Sequence, residues 1–190
     1  MCVSLFSCGK DDTPKGMQLA SNTKVVDYKL FVPETWVVSE AERATSQAFA
    51  SATDRTNVLV MQWNIDDKTE VKTVQDWWEK KYKPEVIDAE VLKDVKVTND
   101  KGTSVTLDKM AAVKYTYVGK MGDFYYTYDV IATIRKGSIY IMQFTYQQDA
   151  KLNSSNVLVP VEENGAPVFS SIEKHKEAVE SIISNFKWLK

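Results

Sequence analysis

Cys8 is the residue with the most definite chemistry. Leu5-Phe6-Ser7-Cys8 has the form of a bacterial lipobox, with Leu at the third position before the cysteine, a small residue directly before it, and the polar run Gly9 to Gly16 after it. A lipid-modified cysteine must enter a membrane-bound peptidase, and the cut leaves Cys8 as the acylated amino terminus. Met1 to Ser7 then reads as the remnant of an apolar signal region, Cys2 is removed with it, and Gly9 to Ser21 reads as a flexible tether. A working signal needs a positively charged start and an apolar stretch of roughly 7 to 15 residues. Met1 to Ser7 carries no charge, so further signal sequence is expected upstream.

Little else is chemically loaded. Both cysteines lie within the first eight residues, so the body of the chain offers no thiol for catalysis, a metal or a disulfide. The one histidine, His175, falls on the apolar side of a helical pattern and reads as a core-edge residue rather than a base or zinc ligand. The seven glycines form no phosphate-cradling motif. Asp11-Asp12, Asp66-Asp67 and Glu162-Glu163 are adjacent carboxylates on loops, where solvation is the commoner role. A carboxylate pair assembled from distant positions stays open, so a hydrolase-like enzyme with an acidic site is the alternative reading. A net charge of -2 and a pI near 5.6 give no basic field for nucleic acid. No metal or cofactor is expected.

These residues need a scaffold, and 190 residues with 44% hydrophobic content suffice for one domain. Its centre is an antiparallel meander over 111–147, in which Lys136-Gly137 is a two-residue hairpin turn and Gly119 to Asp123 a looser one. Phe124, Tyr126, Tyr128, Val130, Ala132 and Ile134 share one face of a strand. In the next strand both faces carry large side chains, which predicts a central position covered on both sides. Further strands are expected over 28–38 with a kink at Pro33, over 47–52, 56–65, 91–97 and 103–107, with a turn at 99–102. Thr73 and Asp76 predict a capped helix closed by Pro84, whose Val74, Trp78 and Tyr82 ridge, flanked by Trp77, packs on the sheet. Ser170 and Glu173 predict a second capped helix over 171–184.

Between Ala150 and Phe169 about twenty residues separate the meander from this helix, and connections of that length are usually functional or disordered. Val157, Leu158, Val159, Val161 and Phe169 supply its apolar side chains. They are expected either to project as a partner-binding loop or to form an edge strand over 156–161, with Phe169 as a hydrophobic staple.

Four motifs in order, Phe31-Val32-Pro33-x-x-Trp36, Thr56-Asn57-Val58-x-Val60, Gly137-x-x-Tyr140 and Ile182-Ile183-Ser184-Asn185-Phe186, resemble the PsbP pattern over about residues 28 to 190. That family includes bacterial envelope lipoproteins of the DcrB and LpqN kind, and the lipobox points to that branch. The resemblance implies an α+β domain, a single antiparallel sheet with flanking helices in an α/β/α sandwich, and no shared enzymatic activity. The chain departs from PsbP in having no metal-ligand cluster that can be matched and in its long 149–170 segment. The expectation is therefore a signal remnant and tether over 1–21 and one PsbP-like domain over 22–190. Its role would be that of a lipid-anchored, extracytoplasmic binding or assembly module in a bacterial envelope, recognising an envelope protein or a small ligand.

Expressed in a bacterium with a complete signal, the protein is expected to partition with membranes through acylated Cys8. Mass spectrometry of the mature amino terminus checks this, and an unmodified chain that keeps Met1 overturns it.

Overall fold

The computed structural model describes residues 12–39, 46–65, 71–88 and 91–190. Cys8, Asp11 and Asp66-Asp67 lie outside the described residues. The run Ser138–Gln147 has large side chains on both faces, and a strand of that composition must be covered on both sides. It is the middle of the main sheet. In chain order the strands are β1 (Met17–Leu19), β2 (Tyr28–Lys29), β3 (Phe31–Pro33), β4 (Val37–Ser39), β5 (Ser46–Ser51), β6 (Asn57–Asn64), β7 (Lys93–Leu107), β8 (Met110–Met121), β9 (Phe124–Arg135) and β10 (Ser138–Gln147). Seven of them form an antiparallel sheet in the order β4-β5-β6-β10-β9-β8-β7. The class is mixed α+β, dominated by this sheet.

The alternation along β10 divides the interior in two. Met142 and Phe144 join Val58 and Val60 on one face, with Val179, Ile182 and Phe186 from the C-terminal region over them. Ile139 and Ile141 join Val130 and Ala132 on the other, beneath Trp77, Trp78 and Tyr82. Lys136 and Gly137 both have positive φ, 50° and 75°, the combination a tight hairpin requires. The looser turn expected at 119–123 is tighter than that: β8 runs to Met121, and Gly122, at φ 62°, turns the chain with Asp123.

Helix α1 (Val74–Trp77) starts at the expected capping box, with Thr73 Oγ1 accepting from Asp76 N at 3.0 Å and Asp76 Oδ2 accepting from Thr73 N at 2.9 Å. It does not end at Pro84. The chain continues as a π-helix over Trp78–Ile87, closed by Asp88 N donating to Lys83 O at 2.9 Å. The wider π turn lets successive residues Trp77 and Trp78 both face the sheet. Trp78 stacks on Tyr115 with ring centroids 4.1 Å apart, and its Nε1 donates to Asp100 Oδ1 at 2.9 Å. Tyr82 donates to Gln143 Oε1 at 2.9 Å and shares a hydrogen bond with Tyr117.

Three further expectations are corrected. The turn proposed at 99–102 is a bulge within β7, where Asn99 Nδ2 donates to Lys114 O at 2.8 Å and Gly102 lies against Val113 at φ 71°. There is more than one sheet: β1 pairs β3, and small ladders join β11 (Ala150–Leu152) to β12 (Leu158–Pro160), β13 (Glu162–Glu163) to β14 (Ala166–Pro167), and β15 (Lys187–Trp188) to β2. The C-terminal helix is two pieces, α2 (Ser170–Lys174) and α3 (Lys176–Asn185), broken at His175. Its predicted capping box is absent, because Asp149 Oδ1 takes the Ser170 N–H at 3.1 Å. Part of the stretch expected as a tether is structured as well. Met17–Leu19 is paired strand, and the buried Ser21 Oγ donates to Tyr28 O at 3.1 Å and accepts from Leu30 N at 3.0 Å. Residues from at least Met17 thus belong to the folded body.

Trp78→Ala is expected to cost about 3–5 kcal/mol, the usual range for truncating a buried Trp, and Trp78→Phe clearly less, since a ring remains to stack. Urea unfolding midpoints of the two variants check the ordering.

Candidate functional site

Strand register defines which loops share an end of the sheet. Val37 pairs Ser51, Ser51 pairs Asn57, Asn57 pairs Thr145, and Thr145 pairs Tyr128. Beyond that row lie the 52–56 turn, the β8–β9 turn, the chain after Gln147 and the start of α2. Gln147 Oε1 accepts from Arg55 at 3.3 Å, which joins two of them.

Within this end, Arg55 at φ 69° reverses the chain, and Thr56 N donates to Asp54 Oδ1 at 3.2 Å. Asp54 Oδ2 then faces Lys174 Nζ at 2.6 Å and His175 Nε2 at 2.8 Å. His175 is buried and sits edge-on to Trp36, with ring centroids 5.8 Å apart. Partial burial pushes the Asp54 carboxyl up, but the hydrogen bonds from Lys174, His175 and Thr56 outweigh it and hold the group well below the usual carboxylate range. His175 is core-edge as expected, yet it also bridges helix and turn. The break at residue 175 that ends α2 also sets the ring on Asp54, a contact between residues far apart in sequence that periodicity could not reveal.

The second component is the β11–β12 hairpin. Asn153 Oδ1 accepts from Ser155 N at 2.9 Å and Val157 N at 3.0 Å, and Asn156 turns at φ 56°. Its base is fixed by Val161 N donating to Asp149 O and Gln148 Nε2 donating to Val161 O, each at 2.8 Å. The tip is thus ordered by its own backbone, and it holds apolar side chains in solvent. Leu152, Val157 and Leu158 are 62%, 55% and 50% exposed, and Leu152 sits directly across from Leu158. From Leu152 to Val161 no residue is charged.

Of the residues singled out in the sequence, Val157 and Leu158 project, Val159 and Val161 are half-buried at the hairpin base, and Phe169 packs against the core. The strand expected over 156–161 forms in part, but it pairs with β11 and not with the main sheet. Sequence reasoning missed Leu152, although Asn153-Ser154-Ser155-Asn156 between two short apolar runs is a hairpin signal. It also missed the neighbours at this end, with Val37, Met121 and Ile172 exposed there.

The acidic alternative has less to work with. Glu162 and Glu163 are exposed beside the Asn164-Gly165 turn, and Asp12 pairs Lys29 at 2.6 Å. Asp76 and Asp100 are held low, the first chiefly by the Thr73 hydroxyl and the second by the Trp78 indole and Lys83. A general acid would need a carboxyl moved the other way.

The domain is thus α+β, with an ordered apolar hairpin beside one end of its main sheet. No family model and no curated protein matches the chain. Among solved structures the fold is similar to LpqN, involved in cell envelope biogenesis of Mycobacterium tuberculosis, at TM-score 0.51 and 12% identity over 86% of this chain and 83% of that one. A protein from Bacteroides thetaiotaomicron VPI-5482 aligns at TM-score 0.49 and 13% identity over 86% of this chain and 46% of that one. The likeness to LpqN is one of fold.

Asp54→Asn tests the bridge. A carboxyl depressed in the folded state stabilises the fold above its unfolded pKa and stops doing so as pH falls through the folded value. The variant is expected to melt a few degrees below the parent at neutral pH. The gap should begin to narrow as the pH falls below about 4 and go on narrowing towards the folded value. A gap that does not change with pH would remove the ion pair as its cause.

Proposed function

We propose that the chain is an envelope binding or assembly module of PsbP-like architecture and LpqN-like kind, lipid-anchored at Cys8 on the extracytoplasmic side, that docks a partner protein on the 150–160 hairpin. Single exposed apolar residues are ordinary, whereas a contiguous set on an ordered projection marks an interaction site. The observation that carries this reading is the cross-strand Leu152 and Leu158 pair with Val157, held in solvent by a tip whose hydrogen bonds are all internal or to the adjacent backbone. A preordered loop loses little conformational entropy on binding, so apolar burial converts to affinity more fully than for a floppy segment. Lys174 and Arg55 flank the site and give a partner polar groups to read at the rim. The fold likeness to LpqN, together with the lipobox, supports the envelope setting.

The test is site-specific crosslinking from Leu158 in cells of the native host. A discrete adduct is expected, reduced at least tenfold by Leu152→Asn with Val157→Ser. Because these side chains lie outside both cores, the melting temperature should stay within about 2 °C of the parent. An adduct of unchanged yield overturns the docking role.

A further inference from the structure

The opposite end of the sheet is built differently. Its loops are tied into one platform: Leu189 N donates to Asp27 O at 2.7 Å, Trp188 N donates to Asp108 Oδ2 at 2.7 Å, and Arg135 donates to Leu189 O at 2.6 Å while lying 4.6 Å over the Trp188 ring. Arg135 also ion-pairs Asp27. The 22–29 segment, the β7–β8 and β9–β10 turns and residues 187–190 are thereby held together, and they present Lys24, Lys109, Lys136, Lys187 and Lys190 to solvent.

On a chain of net charge -2 this end is an exception: among the described residues it has seven Lys and Arg against Asp27, Asp108 and the Asp12 that reaches Lys29. The acids are already engaged, Asp27 by Arg135 and Lys136 and Asp108 by Lys187. Lys24, Lys109 and Lys190 have no ion pair among the described residues. Beside Lys24 stands Val25, the most exposed large apolar residue described, at 79%. Asn22 holds that turn outward, its O accepting from Val25 N at 2.9 Å and Val26 N at 3.0 Å.

We propose that this end is a docking surface for an anionic lipid bilayer, with the lysines on the headgroups and Val25 at their level. The pairing of a protruding apolar residue with a ring of long cationic side chains, which suits the headgroup boundary, selects a membrane over other anions. The Asp12 side chain also reaches this platform through its ion pair with Lys29, which pairs in register with Lys187. Cys8 is four residues earlier, a reach of about 14 Å at most. This orientation rests on the lipid-anchor reading above, but the surface itself does not.

The full chain, expressed in the cytosol so that Cys8 stays unacylated, is mixed with vesicles of phosphatidylglycerol and phosphatidylcholine or of phosphatidylcholine alone, and bound protein is measured by sedimentation. Binding is expected only to the anionic vesicles and should be lost in about 0.5 M salt, where screening shortens the field to a few ångströms. Lys24→Glu, Lys109→Glu and Lys190→Glu combined should weaken it by about a hundredfold or more, since each lysine near such a surface contributes about fivefold. Lys93→Glu with Lys120→Glu, paired across the ladder at the far end, should leave it within about twofold. Should the triple reversal melt lower than the parent, the Gln versions at the same three positions serve, with a smaller loss expected. Equal binding to neutral vesicles, an unchanged triple variant, or tighter binding of a DNA oligonucleotide than of the anionic vesicles would each overturn the proposal. Failure of acylation at Cys8, read by mass, would leave these results standing, so the two readings fail separately.

Discussion

The requirement that β10 be covered on both faces organises this molecule. Among its ten residues only Gln143 and Gln147 are not buried. Each large side chain added to one face must be matched by cover on that side, so the chain supplies two separate layers. The C-terminal residues Val179, Ile182 and Phe186 cover Met142 and Phe144, and Trp77, Trp78 and Tyr82 cover Ile139 and Ile141. Polar atoms in the second layer are kept in step with the packing. Burial pushes the Tyr82 and Tyr117 hydroxyls up, so both stay protonated and bond to one another, and Gln143 accepts from Tyr82. A Gln in a central strand is tolerated there because it has a partner.

Periodicity made this much legible from the residues. Alternation along 124–134 and 139–146 identified the faces, and Lys136-Gly137 located the hairpin. The faces of β6 also sort as the alternation requires, with Val58 and Val60 in one core and Met61 in the other. What periodicity could not show were places where a local rule yields to a tertiary contact. Pro84 usually ends a helix, but here the chain continues past it as a π-helix to Ile87, with Tyr82 and Ile87 buried on either side of the proline. Asn99 to Gly102 has turn composition, yet Asn99 finds its partner at Lys114 across the ladder, so the extra residues become a bulge. Ser170 and Glu173 have capping-box spacing, but Asp149 reaches the Ser170 amide first.

The candidate sites were legible unevenly for the same reason. Val157 and Leu158 stand out in sequence because an apolar run in a long connection is conspicuous. Leu152, their partner, lies across a turn and gains significance only from the pairing. The bridge from Asp54 to His175 spans 121 residues and joins a turn to a helix break, neither of which has a periodic signature. The basic platform is hidden more deeply still. Its lysines come from four separate stretches, and a near-neutral total charge masks a local excess that only the strand register assembles.

The division of labour between the two ends follows from how the chain is threaded. β9 runs for twelve residues from one end to the other, a separation of about 40 Å at the usual rise per residue. Residues 22–29 and 187–190 are fastened to the same platform, so that end is crowded with backbone and held by ring and ion contacts. A connection at the far end can lengthen without disturbing either core, since loop closure costs only about 0.6 kcal/mol for each doubling of length. The 150–169 connection uses that freedom, and its hairpins fold on local hydrogen bonds and contribute little to the main sheet. A bilayer docked on the basic end, as proposed above, would leave the hairpin end about 40 Å away, clear of the headgroup layer.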